Sequence, residues 1–316
     1  SRVLIWLGGK LTDYNGPLLA NDASDHFGQR RTARLWQQIC RVLPKFDYTD
    51  FQRQPAQIGN QQNPFWQLGT SGNPISGWQS SLSLDWNAYY RQKRGVETRR
   101  KDRKKEAKLA EHGPIHFKIA QTEEEIDAIL ETLAAQKLAS YAQKGITGVF
   151  LDPASIDFIR SFTRARCESG LVVLACLKVR DEIIAAQWGV IQEAHFYCLV
   201  LSRDHGRFAR YSPGNILLRR LLEWCCEREI KTFDFTYGNE AFKSHWCDGK
   251  VELCDSFLPA TLRGSMMVCG IRILHSMRHL ARRSSHVYAL ATRFRKQRCK
   301  WHLQMRGYLA AYAREP

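Results

Sequence analysis

The sequence predicts an α/β fold built on a mixed, mainly antiparallel sheet. Three observations carry this. Residues 171–179, 182–191 and 194–201 are apolar runs joined only by Arg180-Asp181 and Gln192-Glu193, the spacing of hairpin-linked antiparallel strands. A helical pattern follows at 213–229, with Leu217, Leu218, Leu221, Leu222 and Cys225 on one face, and leads into a strand at 231–236. Ahead of the meander, a strand at 115–120 alternates with helices at 122–138 and 153–169.

The remaining elements follow in order. Residues 3–7 read as a strand, 13–17 as a turn, 31–42 as a helix and 46–51 as a short strand, which together make the back half of a first unit. Residues 55–78 are rich in Gln, Asn, Gly and Pro without a sustained period and read as a loop or linker. One long helix, charged nearly all round, is expected over 84–111 and stopped by Gly113-Pro114. Thr122-x-x-Glu125 is a capping box for the next helix, and a glycine-rich turn spans 145–148. The expected domains are 1–78, 79–258 and a basic helical extension at 259–316. The chain opens inside a strand pattern without an initiator Met, so it is expected to be a fragment.

With 44% hydrophobic and 25% charged residues, the 316-residue chain is globular, which excludes collagen-like and wholly disordered classes. Its longest apolar runs, 171–177 and 183–191, fall well short of the about 20 residues a membrane span needs. The formal charge of +16 sits in two places: residues 91–108 carry a net +7 and residues 263–316 a net +11, leaving the body close to neutral. None of the ten cysteines has metal-site spacing; Cys176, Cys198 and Cys225 fall in apolar segments and read as small buried hydrophobes of a reducing, cytoplasmic compartment.

Four strings sharpen the fold: 171–178, Ile183-Ile184-Ala185-Ala186, Arg210-Tyr211-Ser212-Pro213-Gly214-Asn215-Ile216-Leu217-Leu218, and 233–246, which runs from Phe233-Asp234-Phe235 through Gly238-Asn239-Glu240 to Lys243-Ser244-His245-Trp246. Together they resemble the cellulose-biosynthesis (CelD/BcsL-type) acetyltransferase family of the GNAT fold over about 80–258. Leu11-Thr12-Asp13-Tyr14-Asn15 resembles the tail of that family's preceding GNAT-like unit, so the fold is expected to be doubled with an incomplete first unit. The resemblance implies acetyl-CoA or another acyl-CoA as donor, no metal, an amine or hydroxyl acceptor on a sugar or polysaccharide precursor, and a role in cell-envelope biosynthesis.

The residues read independently as follows. With Ser212 as N-cap and Pro213 as first helical residue, the amides of Gly214, Asn215 and Ile216 can face a pyrophosphate, and Arg207 and Arg210 can add charge. The glycine-rich loop common in the wider superfamily is absent as written, since Pro213 and Asn215 stand at its glycine positions. In the implied fold a backbone amide of Leu199, Val200 or Leu201 polarises the thioester carbonyl. Asp234 and Glu240 are the candidate bases, Tyr237 the candidate acid, and Lys243 a candidate acceptor contact. Asp234 reads equally as a structural strand residue, Glu240 and Lys243 as a surface pair, and Trp246 as core; His195 and His245 read as structural. The basic helix reads first as a solvated surface, with Arg99, Arg100 and Arg103 as the residues able to reach an anion. The basic, apolar-interleaved extension suits an anionic membrane surface on the inner face, or core packing. Two rivals stand beside the acyl-CoA reading: a Fem-type aminoacyl-tRNA-dependent transferase, and an inactive membrane-surface accessory protein.

Overall fold

The computed structural model describes residues 1–9, 11–22, 29–68, 70–146 and 148–283. Strand β1 (Val3–Ile5), helix α1 (Gln29–Val42) and strand β2 (Tyr48–Pro55) open the chain. Residues 55–78 are more than a linker: they hold the hairpin of β3 (Gln57–Ile58) and β4 (Gln61–Gln62), then β5 (Thr70–Gly72) and β6 (Gly77–Ser81). These strands are short and polar, so they leave no hydrophobic period; hydrogen bonds such as Asn63 Nδ2 to the Pro55 carbonyl at 2.9 Å hold them. The single helix expected over 84–111 is two, α2 (Trp86–Lys93) and α3 (Val96–Ala110). Asp85 caps α2, and the break falls where Arg94 becomes extended and Gly95 takes the N-cap of α3. Next come β7 (Ile115–Ile119), α4 (Glu123–Lys144) and α5 (Pro153–Arg166). Thr122 accepts from the Glu125 amide, and the Glu125 carboxylate reaches back mainly to the Gln121 amide, with a weaker contribution from that of Thr122. Left-handed Gly145 (φ 64°) ends α4 beyond the expected Leu138. The meander β8 (Val172–Val179), β9 (Glu182–Gln192) and β10 (His195–Arg203) follows, with left-handed Arg180 and Glu193 in its two tight turns. Helix α6 (Pro213–Glu227), strands β11 (Thr232–Tyr237), β12 (Gly249–Val251) and β13 (Leu253–Ser256), and helix α7 (Leu262–Arg283) complete the order.

The chain forms two compact units that cut across the linear boundaries. The first takes residues 1–78, 236–240 and those from 249 onward through α7. Its sheet has the order β1-β2-β13-β5, with β1 parallel to β2 and β13 antiparallel to both β2 and β5. Residues 249–258, expected in the main domain, belong here because β13 hydrogen bonds into the middle of this sheet. The order β1-α1-β2, two parallel strands joined by a helix, is also that of β10-α6-β11 in the second unit. Trp6, Trp36, Phe51 and Phe65 form its aromatic core, with Trp6 stacked on Phe51 at 4.4 Å. Val268 and Ile271 of α7 pack against Tyr48 and Phe257. A Cβ on Gly264 would sit 1.8 Å from the Asp47 carbonyl oxygen, so only glycine lets α7 start this close to the chain entering β2. Part of the extension is therefore core, while Met266, Met267, Ile273, Leu274 and Met277 stay exposed. The rest of the expected basic extension, 284–316, lies outside the described residues. Among the described residues no helix is long and apolar enough to cross a membrane.

The second unit takes residues 79–235 and 241–248, and its strands run in the order β6-β11-β10-β9-β8-β7. Strands β7 to β10 are antiparallel in turn, and β10 pairs with β11 in parallel, as the crossover through α6 requires. Helices α4 and α5 cover one face, where Ile126, Ile129, Leu133 and Ile159 pack with Leu174, Cys176, Ala186 and Trp188. Helix α6 packs on β8, β9 and β10. Its Leu217, Leu221, Leu222 and Cys225 are all buried, each leucine contributing about 1.5–3 kcal/mol. Trp246 is core: it is 1% exposed and stacks on Tyr89 and Tyr90.

Two of the three acids of α3, Asp102 and Glu106, are committed to α2 and α6. Asp102 accepts from the Tyr90 hydroxyl at 2.9 Å, from Asn215 Nδ2 at 3.1 Å and from Arg94 at 3.4 Å. Glu106 accepts from Arg219 at 2.5 Å and Arg220 at 2.7 Å. Burial pushes the Glu106 carboxyl upward, but the two guanidinium groups outweigh it and hold it below its ordinary value. A depressed carboxylate contributes stability that is present above its unfolded value of 4.5 and lost as pH falls through its folded value. Glu106→Gln should therefore cost about 1–3 kcal/mol at neutral pH, and the gap to the parent should close in acid below 4.5. Urea unfolding at both pH values checks this; equal stability at neutral pH would exclude the pairing as a structural tie.

Candidate active site

Strands β10 and β11 pair only as far as Tyr197 opposite Asp234. Beyond that point β10 continues to Arg203 on β9 alone, and its register on β9 jumps between Tyr197 and Val200. The bulge leaves the backbone of Cys198 and Leu199 out of step with both neighbouring strands. Gly189 permits it, since a Cβ there would lie 2.4 Å from the Tyr197 carbonyl oxygen. Alongside stands Gln187, fully buried, with neither amide atom hydrogen bonded among the described residues.

Helix α6 begins beside the far end of β10. Ser212 is left-handed (φ 58°, ψ 56°) and Pro213 is the first helical residue. The Ser212 carbonyl accepts from the amides of Asn215 (2.9 Å) and Ile216 (3.3 Å), so of the three amides expected to face an anion, only that of Gly214 has no partner among the described residues. Ser212 Oγ makes no capping bond; it accepts from Lys105 Nζ at 2.8 Å. A groove of 510 Å³ opens here, lined by Lys101, Lys104, Lys105 and Lys108 of α3 together with Arg210 and Tyr211. Glu111 is the one carboxylate in its lining.

At the point where the strands part, Asp234 is wholly buried. Gln79 Nε2 donates to its Oδ2 at 2.8 Å, and His195 Nε2 lies 3.5 Å from the same oxygen. The His195 ring stacks on Tyr197 at 4.2 Å. Burial, and then the Asp234 charge, hold the Tyr197 phenol above its ordinary value. Lys243 lies in a short 3-10 turn and is only 5% exposed. Burial pushes the neighbouring Cys247 thiol up to about 12, while the Lys243 charge lowers it and that of Asp234 raises it. Asp234, Lys243 and Cys247 therefore share one electrostatic neighbourhood.

A sheet whose parallel pair parts at mid-strand, a bulge on the strand left free, and a helix N-terminus at the opening define a recognisable architecture. Residues 97–244 match the family model described as an acetyltransferase (GNAT) domain. This segment is a GNAT acetyltransferase-fold domain. The chain is similar to the C-terminal domain of a putative lysylphosphatidylglycerol synthetase from Agrobacterium fabrum, with 12% identity and a TM-score of 0.54 over 87% of this chain and 82% of that one. It is also similar to FemX, with 12% identity and a TM-score of 0.50 over 77% and 79%. Likeness at such identity establishes the fold alone. No curated protein matches the sequence.

The GNAT domain brings some of the sequence-predicted residues together and separates others. Leu199 and Val200 fall in or beside the bulge, whereas Leu201 is back in register opposite Gln187. Arg210 lines the groove. Arg207 does not: it is 72% exposed, ion-paired with Glu182 and laid over Phe208. The resemblance string did not separate these two arginines, because the turn that aims them leaves no period in sequence. Tyr237 and Glu240 fall in the first unit. There Tyr237 lies under the Arg53 guanidinium at 4.7 Å, is hydrogen bonded by Asn73, and has its phenol held high chiefly by burial; Glu240 is exposed. Sequence reasoning set His195 aside as structural and missed Gln79, Tyr197 and Gln187, whose positions carry no sequence signal. The groove lysines had one: they stand at i, i+3, i+4 and i+7 on α3, whereas Arg99, Arg100 and Arg103 are not among its lining residues.

The bulge makes a direct prediction. Gly189→Ala forces a methyl onto backbone and should cost about 1–3 kcal/mol, while Gly214→Ala, whose methyl would meet only the movable Arg203 side chain at 3.4 Å, should be nearly neutral. Urea denaturation of both variants decides; equal losses would contradict the packing described.

Proposed function

We propose that this chain is an acyltransferase that moves an acetyl or other acyl group from an acyl-CoA thioester to an amine or hydroxyl acceptor. The observation that supports this best is the parting of β10 from β11 at Tyr197 and Asp234, which leaves a slot for an extended thioester beside out-of-register main chain. The donor's pyrophosphate would meet the free Gly214 amide, the α6 N-terminus and Arg210. A backbone amide of Leu199 or Val200 would donate to the thioester oxygen as it gains charge. The acceptor's nitrogen or oxygen attacks the carbonyl carbon, the carbon–sulfur bond breaks, and the acceptor's proton is lost as the coenzyme thiolate gains one. Asp234, anchored by Gln79 and facing His195, is the proposed base system, and Tyr197 the proposed acid. Lys243, being buried, is assigned to holding the charge around Asp234 rather than to reaching the acceptor. The role in polysaccharide or cell-envelope biosynthesis rests on the sequence resemblance of 233–246.

Asp234→Asn and His195→Gln should lower turnover about 100-fold or more while acyl-CoA affinity persists. Arg210→Ala should weaken donor binding, and Arg207→Ala should leave it unchanged. Calorimetry with acetyl-CoA alongside single-turnover assays reads both; full turnover in both Asp234→Asn and His195→Gln would remove this base system.

The exposed apolar residues of α7, with exposed Arg263 and Arg272 among them, support peripheral binding to an anionic membrane. Vesicles of anionic lipid should bind the chain at low salt and release it at high salt; binding equal to that of neutral vesicles would refute the electrostatic part.

A further inference from the structure

Lys101, Lys104, Lys105 and Lys108 lie on one stripe of α3, about 10 Å long at 1.5 Å per residue. Like charges at i, i+3 and i, i+4 oppose helix formation unless something offsets them. Glu97 stands four residues before Lys101 and can offset that one charge, but the other two acids of α3, Asp102 and Glu106, are committed to the hydrogen bonds and ion pairs with Tyr90, Arg94, Asn215, Arg219 and Arg220. All four lysines are exposed, and with Arg210 they converge on a groove containing a single carboxylate, Glu111. Five cations around one groove exceed what a pyrophosphate bridge at the Gly214 amide would compensate.

We infer that the α3 lysines form a second phosphate subsite, reading a phosphomonoester carried by the donor in addition to its pyrophosphate. This rests on the acyl-CoA reading, and the monoester is then the 3′-phosphate of coenzyme A, which carries about −1.5 to −2 charges at neutral pH. Lys105 also fixes Ser212 at the start of α6, so the monoester subsite and the pyrophosphate end share one residue. The lysines are specificity determinants for the donor, remote from the reacting carbonyl.

The test is calorimetric titration of the full chain with coenzyme A and with 3′-dephospho-coenzyme A. The parent should bind the former about 10-fold or more tightly, and added salt should shrink the difference. Lys104→Gln with Lys108→Gln, both exposed and outside the core, should lower affinity for coenzyme A to that for the dephospho form and leave the latter unchanged. Equal affinity of the parent for both ligands overturns the subsite and leaves the donor reading standing. Binding of neither overturns the donor reading and the subsite with it. If tRNA displaces coenzyme A and loses affinity in the same double variant while dephospho-coenzyme A binds as well as coenzyme A, the stripe is a nucleic-acid surface and the inference fails.

Discussion

The tie between α3 and α6 is the interaction on which the proposed site depends. Asp102 holds the Asn215 side chain in the first turn of α6, and Glu106 holds Arg219 and Arg220 a turn later. An exposed ion pair contributes little, but these carboxylates are buried or half-buried and each has several donors, so removing one strands cationic partners. The same tie decides which way α3 faces. With its acids turned inward, the lysine stripe is left at the N-terminal end of α6, and a helix that seemed merely solvated becomes one wall of a basic groove.

The sheet supplies the other constraint. A parallel pair joined by a helix crossover must end its pairing somewhere, and here it ends at Tyr197 and Asp234 while β10 is still anchored by β9. The bulge on β10, admitted by Gly189, takes the main chain of Cys198 and Leu199 out of register with both neighbouring strands. Asp234 sits at that junction, so its burial is a consequence of strand position, and its partners Gln79 and His195 come from the two strands that flank β11. Gln187, without a side-chain partner among the described residues, lies on the next strand over, the kind of buried polar group that a fold retains at a cost.

Much of this was legible in sequence and some could not be. The meander and α6 announce themselves because apolar residues with tight turns and a clean helical face leave a period. The strands of 55–78 are short and polar, and β13 joins the first sheet through long-range pairing, so neither has a local signature. The break at Arg94 and Gly95 hid inside a charged stretch where propensity and pattern both favoured one helix. In the site, Asp234 and Arg210 were nominated by a string that resembles a family, whereas Gln79 and His195 reach Asp234 only through strand register. Arg207 was nominated by proximity in sequence and is turned away by its pairing with Glu182.

In the proposed function, the slot between β10 and β11 and the start of α6 receive one acyl-CoA molecule. Amide hydrogen exchange with and without acetyl-CoA reads both places at once. Protection appearing together at residues 198–201 and at Gly214, with the same dependence on ligand concentration, is the predicted result. Saturating acetyl-CoA that leaves both segments exchanging at their unliganded rates would contradict it.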